Sequence, residues 1–207
     1  IVPAPRTILS GVAKLPPATV RVVEPDGREH DTLYWQPRFE RDPEQAAWSD
    51  EDWQQAFIAS LRTAVQRRMV ADVPVGAYLS GGIDSAAVAA AMVRASDQVA
   101  TFTVGFADVP AYYEERPQAR AIAEHLGTRH TEIEVSSADA LAAIDDLFDG
   151  LDEPFADSSA LPSFILAREA RRHVTVALSG DGGDEVFGGY RLYQGELYAG
   201  AYQRLPT

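Results

Sequence analysis

A parallel α/β sheet with helices on both faces, preceded by a short β hairpin, is the fold class this sequence predicts. Three observations carry that reading. Runs rich in β-formers recur at Val73 to Leu79, Val99 to Phe106, His130 to Val135 and His173 to Ser179. The stretches between them carry helical spacing over about ten residues, the alternation expected of strands joined by crossover helices. Two of the runs stop abruptly in glycine-rich polar loops, and ligands of such sheets sit at the strands' C-terminal ends.

Residues 1–47 form the first unit. Pro3, Pro5, Pro16, Pro17, Pro25, Pro37 and Pro43 break it too often for helix. Val20 to Val23 and Thr32 to Trp35 alternate as short strands, with Asp26-Gly27 between them as a hairpin turn. The second unit runs from residue 48 to 207. Ser49 with Asp52 three residues on predicts a capping box. Trp53, Phe57, Ile58, Leu61, Val65 and Met69 then fall on one helical face, read as core.

Val73 to Leu79 predicts a buried strand, and Ala86 to Arg94 a helix without glycine or proline. Val99 to Phe106 is the second strand, followed by a looser segment and a helix over Glu114 to Leu126 that Gly127 closes. His130 to Val135 is the third strand. Ser136 to Phe148 predicts one amphipathic helix with Leu141, Ile144, Leu147 and Phe148 inward. Leu151 to Leu161 is a loop, Pro162 to Arg172 a helix opened by proline, and His173 to Ser179 the fourth strand. The starting Ile1 and the ending Leu205-Pro-Thr207 read as the cut ends of a segment from a longer protein.

The balance of 18 basic against 31 acidic side chains gives a formal net charge of −13. No basic field draws such a chain to nucleic acid or an anionic membrane surface. No run approaches a membrane span or a signal peptide. The chain has no Cys, which excludes disulfides, thiolate metal sites and a Cys nucleophile within these residues and makes the cytoplasm the default compartment. The sequence leaves a homodimer open.

The first loop, Ser80-Gly-Gly-Ile-Asp-Ser85, sits between a strand and a helix start. A helix start offers unpaired N–H groups and a positive dipole end, which suit a phosphate. Gly81 and Gly82 allow close approach, and Ser80 and Ser85 add hydroxyls. Asp84 beside such a cradle repels an anion unless a cation lies between them, so it implies Mg²⁺. A plain strand-to-helix turn with a Ser/Asp cap is the competing reading. The fourth strand ends in Ser179-Gly-Asp-Gly-Gly-Asp-Glu185, with three carboxylates within five residues. Like charges at that range repel, so a structural turn or a Ca²⁺ loop competes with a nucleotide/Mg²⁺ loop carrying Asp181 and Asp184.

Ser80 to Ser85 resembles the pyrophosphate loop of the N-type ATP pyrophosphatases. Taken with Phe102-Thr-Val-Gly-Phe106, Leu151-Asp-Glu-Pro154 and Ser179 to Tyr190 in that order, it is similar to the synthetase domain of glutamine-hydrolysing (class B) asparagine synthetases. Residues 7–35 resemble the tail of the paired glutaminase domain. The resemblance implies an adenine nucleotide α-hydrolase-like fold and the cofactors ATP and Mg²⁺. It also implies a ligase that adenylates an acceptor carboxylate, the aspartate side chain, and releases pyrophosphate. Ammonia from a glutaminase domain then displaces AMP.

Carried across, Ser80, Gly81, Gly82, Asp84 and Ser85 hold Mg²⁺-pyrophosphate. Leu79, Val104, Ser179 and Gly180 line the adenosine site. Asp181 stands where many members have Glu, as the candidate base facing ammonia, and Asp184 serves Mg²⁺, together with Asp84, or the intermediate. The family's catalytic Cys has no counterpart here, so glutamine hydrolysis is not expected of these residues. The Pro154 to Ser159 loop lacks the Thr/Arg pattern of aspartate-binding members. β-Lactam synthetases, which resemble this architecture, or another pyrophosphatase-loop adenylating enzyme with a different acceptor are therefore the alternative.

Overall fold

The computed structural model describes residues 2–38, 40, 42–107 and 114–202. The looser segment after Phe106 (108–113) and the final Leu205 to Thr207 lie outside them. The N-terminal unit carries a two-stranded antiparallel sheet, β1 (Thr19–Val23) and β2 (Glu29–Leu33). Gly27 turns the chain with φ 84°, and the Glu24 N–H donates to the Arg28 carbonyl across the turn. The second strand begins earlier than the hydrophobic pattern suggests. Arg21 pairs with Asp31 at 2.7 Å and with Glu29 at 2.9 Å, which draws Glu29-His-Asp31 into the ladder and leaves Trp35 outside it. A 3₁₀ turn (Gln45–Ala47) precedes the first helix.

Helix α1 (Asp50–Arg68) opens on the expected capping box, with Ser49 and Asp52 each bonding the other's backbone N–H. These bonds from Ser49, side chain first, hold the Asp52 carboxyl below its ordinary range. The core face of α1 is shorter than the sequence indicates. Leu61, Val65 and Met69 pack with Met92 and Ala77, but Trp53, Phe57 and Ile58 are 48%, 42% and 53% exposed. The N-terminal half of the helix extends past the sheet. There Trp53 meets Trp48 at 4.8 Å, and Phe57 meets Phe187 edge-on at 5.2 Å.

The main sheet has four parallel strands in the order β5-β4-β3-β6: β3 (Val75–Tyr78), β4 (Ala100–Phe106), β5 (Arg129–Val135) and β6 (Val176–Leu178). Side-chain alternation along the strands feeds two cores. On one face α1, α2 (Ile83–Val93) and α3 (Arg116–Leu126) cover Ala77, Leu79 and Val99. On the other, α6 (Ala160–Ala170) covers Phe102, Val104 and Phe106. Gly76 makes room for Phe102, since a Cβ there would stand 2.9 Å from the ring. Gly127, at φ 70°, ends α3 as anticipated.

The predicted helix over Ser136 to Phe148 is two short ones, α4 (Ser137–Ala142) and α5 (Ile144–Asp149). Ala143 at the junction is fully buried, while Leu141 and Phe148 are 70% and 59% exposed. Ile165 and Val135 already fill the space beneath, which leaves room for a methyl group only. The helix expected from Pro162 starts two residues earlier, at Ala160, and the strand expected over His173 to Ser179 pairs over Val176–Leu178 alone. After β6 come α7 (Gly183–Phe187) and α8 (Arg191–Tyr202). Among the described residues no helix is long and apolar enough to cross a membrane.

A polar cluster lies inside the first layer. The fully buried Thr101 hydroxyl is 2.8 Å from Thr128 Oγ1 and 2.9 Å from His130 Nδ1, while buried His130 Nε2 has no partner among the described residues. Burial lowers the His130 pKa from its ordinary 6.5; Glu132 opposes the shift and Arg120 adds to it. A folded-state pKa below the unfolded one means the unfolded chain takes up the proton first as pH falls. The stability this neutral ring contributes is therefore complete above pH 6.5 and lost as pH falls from there through the lowered value. His130→Asn keeps a polar atom near the Nδ1 position but does not titrate. The drop in urea midpoint from pH 7.5 to 5.5 should be smaller in the variant; an equal drop would assign it to other groups.

Candidate functional site

The chain reverses direction in the sheet at β3. It steps outward through α2, β4, α3 and β5, then returns through α4 to α6 to place β6 on the other side of β3. Helices change faces at the same reversal, as constant crossover handedness demands. The C-terminal ends of β3 and β6 are thus the topological switch point, where sheets of this kind open a crevice. The Ser80 loop leaves β3 there and the Ser179 loop leaves β6.

The loops touch. A Cβ on Gly180 would stand 2.7 Å from the Ser85 backbone nitrogen and 3.0 Å from the Asp84 carbonyl carbon. The Asp84 carboxylate lies over Gly183, whose Cβ would fall 2.9 Å from Oδ1 and closer still to Oδ2. Two glycines therefore let the acidic loop close on the helix start of α2.

Hydrogen bonds organise the first loop internally. The Ser80 N–H donates to Ser85 Oγ at 3.1 Å, the two hydroxyls are 2.8 Å apart, and the Gly82 N–H donates to Ser80 Oγ at 3.1 Å. The Gly81 N–H donates to Glu115 Oε2 at 3.3 Å. Three N–H groups of the loop itself are thus satisfied, and the unpaired ones that the sequence expects belong to the helix start. The first-turn N–H groups of α2, from Ile83 to Ser85, have no intrahelical acceptor, and Gly82 supplies no side-chain cap.

In the second loop Ser179 Oγ donates to Asp181 Oδ2 at 2.9 Å, which fixes that exposed carboxylate beside the strand end. Asp184 is half-buried in the first turn of α7, its carboxylate resting against Gly189. Tyr190 donates to Glu185 at 2.9 Å, and this bond raises the phenol pKa to about 12.

A cavity of 590 Å³ opens at the switch point. Of the residues singled out in the sequence, Leu79, Ser80, Gly82, Asp84, Ser85, Val104, Ser179, Gly180, Asp181 and Asp184 all border it. Gly81 does not; it faces Gln118 of α3. Tyr78, Ile83, Thr103, Glu115, Ser163 and Leu166 complete the lining and escaped the sequence reading. Thr103 could have been found as a hydroxyl inside a buried strand, but Glu115 arrives from 34 residues away with no local signal. A second cavity of 450 Å³, lined also by Phe57 and Phe187, backs onto Asp84, Ser179, Gly180 and Asp181 from the α1 side.

Among the described residues no three His, Asp or Glu side chains gather as a cation cage. Asp84 and Asp184 border one cavity with hydroxyl groups, an all-oxygen donor set. Mg²⁺ is commonly held by one or two carboxylates completed by water and substrate phosphates, so this pair fits it.

A doubly covered parallel sheet whose glycine-rich loops meet at its switch point defines an α/β domain with a ligand crevice between β3 and β6. The chain belongs to the asparagine synthase family, whose model matches residues 56–206. A Mycobacterium bovis protein provisionally named a glutamine-hydrolysing asparagine synthetase is 40% identical over 211 residues, 99% of this chain and 31% of that protein. Asparagine synthetase [glutamine-hydrolyzing] 1 of Bacillus subtilis is 34% identical over 210 residues, 100% of this chain and 32% of its own. The chain thus spans about a third of the length of these relatives. The solved NH3-dependent NAD synthetase of Campylobacter jejuni is 19% identical with a TM-score of 0.45, over 67% of this chain and 61% of that one.

Proposed function

We propose that this chain is the synthetase portion of a glutamine-hydrolysing asparagine synthetase, with residues 1–47 as the tail of the glutaminase domain and its linker. The observation that carries this reading is the contact between the two loops, Gly180 on Ser85 and Gly183 under Asp84, at the switch point. In the proposed reaction an oxygen of the aspartate side-chain carboxylate attacks the α-phosphorus of ATP. The bond to the bridging oxygen breaks and pyrophosphate leaves, giving an acyl-AMP. Ammonia then attacks the acyl carbon, loses a proton, and AMP departs.

Ser80, Gly81, Gly82 and Ser85 receive the pyrophosphate at the positive end of α2. Leu79, Val104, Ser179 and Gly180 take the adenosine. Asp84 and Asp184 are the residues that would hold Mg²⁺, which neutralises charge on the leaving pyrophosphate when bound. Asp181, steadied by Ser179, accepts the proton from the attacking ammonia.

The direct test is a thermal-melt series with ATP, with and without Mg²⁺. A ligand that binds only the native state stabilises it by about 2.7 kcal/mol at a hundredfold excess over Kd. Mg²⁺-ATP should raise the midpoint, and Asp84→Asn should remove the Mg²⁺-dependent part first. No shift at millimolar Mg²⁺-ATP would overturn the reading.

A further inference from the structure

We propose that Glu115 gates the phosphate loop, so that an anion enters it only together with a divalent cation. The inference rests on the reading of the Ser80 loop as a pyrophosphate cradle and adds a residue to which neither the sequence nor the family match gives a role. Within that loop the Ser80 and Gly82 N–H groups are satisfied by hydroxyls of the loop itself. The Gly81 N–H differs: its acceptor is a carboxylate oxygen brought from the start of α3. A carboxylate on a loop N–H makes the bond that a phosphate oxygen would make, so Glu115 stands in for the ligand.

The placement is enforced by packing. A Cβ on Gly81 would lie 3.0 Å from Gln118 Cβ and 3.9 Å from Glu115 Cβ, so the first turn of α3 sits directly on the loop. Glu115 is the N-cap residue of α3, yet its side chain does not cap that helix. Its neighbour Glu114 is held by Arg116, which also binds Glu134. Among the described residues the Glu115 carboxylate has no such cation, and its only hydrogen bond is from the Gly81 N–H. It is exposed and borders the cavity that Asp84 and Asp184 also line.

These facts give the carboxylate two states. Without a cation it occupies the Gly81 N–H and adds its charge to that of Asp84, and both repel an incoming pyrophosphate. With a cation between the phosphates and the carboxylates the repulsion is screened, and the exposed side chain yields the Gly81 N–H to the phosphate and turns out to solvent. Discrimination against metal-free nucleotide follows from negative charge, to which Glu115 adds its own, not from a steric barrier.

Glu115→Gln tests the charge while keeping an oxygen that can accept from Gly81. Calorimetric binding of inorganic pyrophosphate to the full chain, in EDTA and in Mg²⁺, is the measurement. A melting temperature equal to the parent's shows that the variant folds. In EDTA the variant should bind about tenfold tighter than the parent, equivalent to about 1.4 kcal/mol, and added salt should shrink the difference. In Mg²⁺ the two should agree within about threefold. If the parent binds Mg²⁺-pyrophosphate and the variant shows no metal-free gain, the gate is wrong and the cradle stands. If the variant loses its Mg²⁺-dependent affinity instead, Glu115 is an ordinary ligand of the bound complex and the gate is equally overturned. If the parent does not bind pyrophosphate even in Mg²⁺, the cradle reading and the gate fall together.

Discussion

Gly180→Ala is expected to lower the melting temperature by several degrees and to abolish stabilisation by Mg²⁺-ATP. The added methyl would stand 2.7 Å from the Ser85 backbone nitrogen and 3.0 Å from the Asp84 carbonyl carbon and Cβ. Backbone atoms cannot rotate away as a flexible side chain does, so either the loops separate or the chain strains. Overpacking of this kind costs about 1–3 kcal/mol. In a chain of this length each kcal/mol moves the midpoint by roughly 2–4 °C. The binding loss should exceed what destabilisation alone explains, because Ser179 to Gly183 would no longer close on the start of α2. Gly195→Ala is the control: it lies in α8 with nothing within 4 Å, and alanine should raise helix stability there by about 0.5–1 kcal/mol. A Gly180→Ala protein that melts and binds like the parent would show that the two loops do not depend on this contact.

The architecture was legible because the cues were local. The β-former run of β4, the αL glycine at Gly127 and the Ser49/Asp52 capping box each act within a few residues. Where the reading failed, the deciding partner was distant. Trp53, Phe57 and Ile58 obey helical periodicity, but whether that face is covered depends on how far α1 extends beyond the sheet. Leu141 and Phe148 gave way to Ala143 because α6 already fills the space. Both polar loops could be named from their glycines, since a strand–glycine–helix succession is a local fact. That Gly81 would find an acceptor in Glu115 could not, because it depends on how α3 packs against α2. The shared cavity joins these cases: its loop residues were evident one loop at a time, whereas Tyr78, Thr103, Ser163 and Leu166 enter only through strand pairing and the docking of α6.

Two isosteric substitutions in the second loop should separate adenylation from amine attack, when made in the full-length protein. Asp184→Asn preserves the packing of the side chain against Gly189 and removes only its charge. ATP–pyrophosphate exchange dependent on the acceptor carboxylate should then fall at least tenfold, since about 1.4 kcal/mol of transition-state stabilisation corresponds to that factor. Asp181→Asn keeps an oxygen able to accept from Ser179 Oγ, so the loop geometry should persist. It should spare exchange, because no proton acceptor is needed before the acyl-AMP exists, and should slow the amine-dependent step. Ser179→Ala serves as the companion variant: loss of the 2.9 Å bond frees the Asp181 carboxylate without altering its charge, so the amine step should slow less than in Asp181→Asn. If both aspartate variants exchange and turn over like the parent, the acidic loop is scaffolding, and the chemistry lies with the Ser80 loop alone.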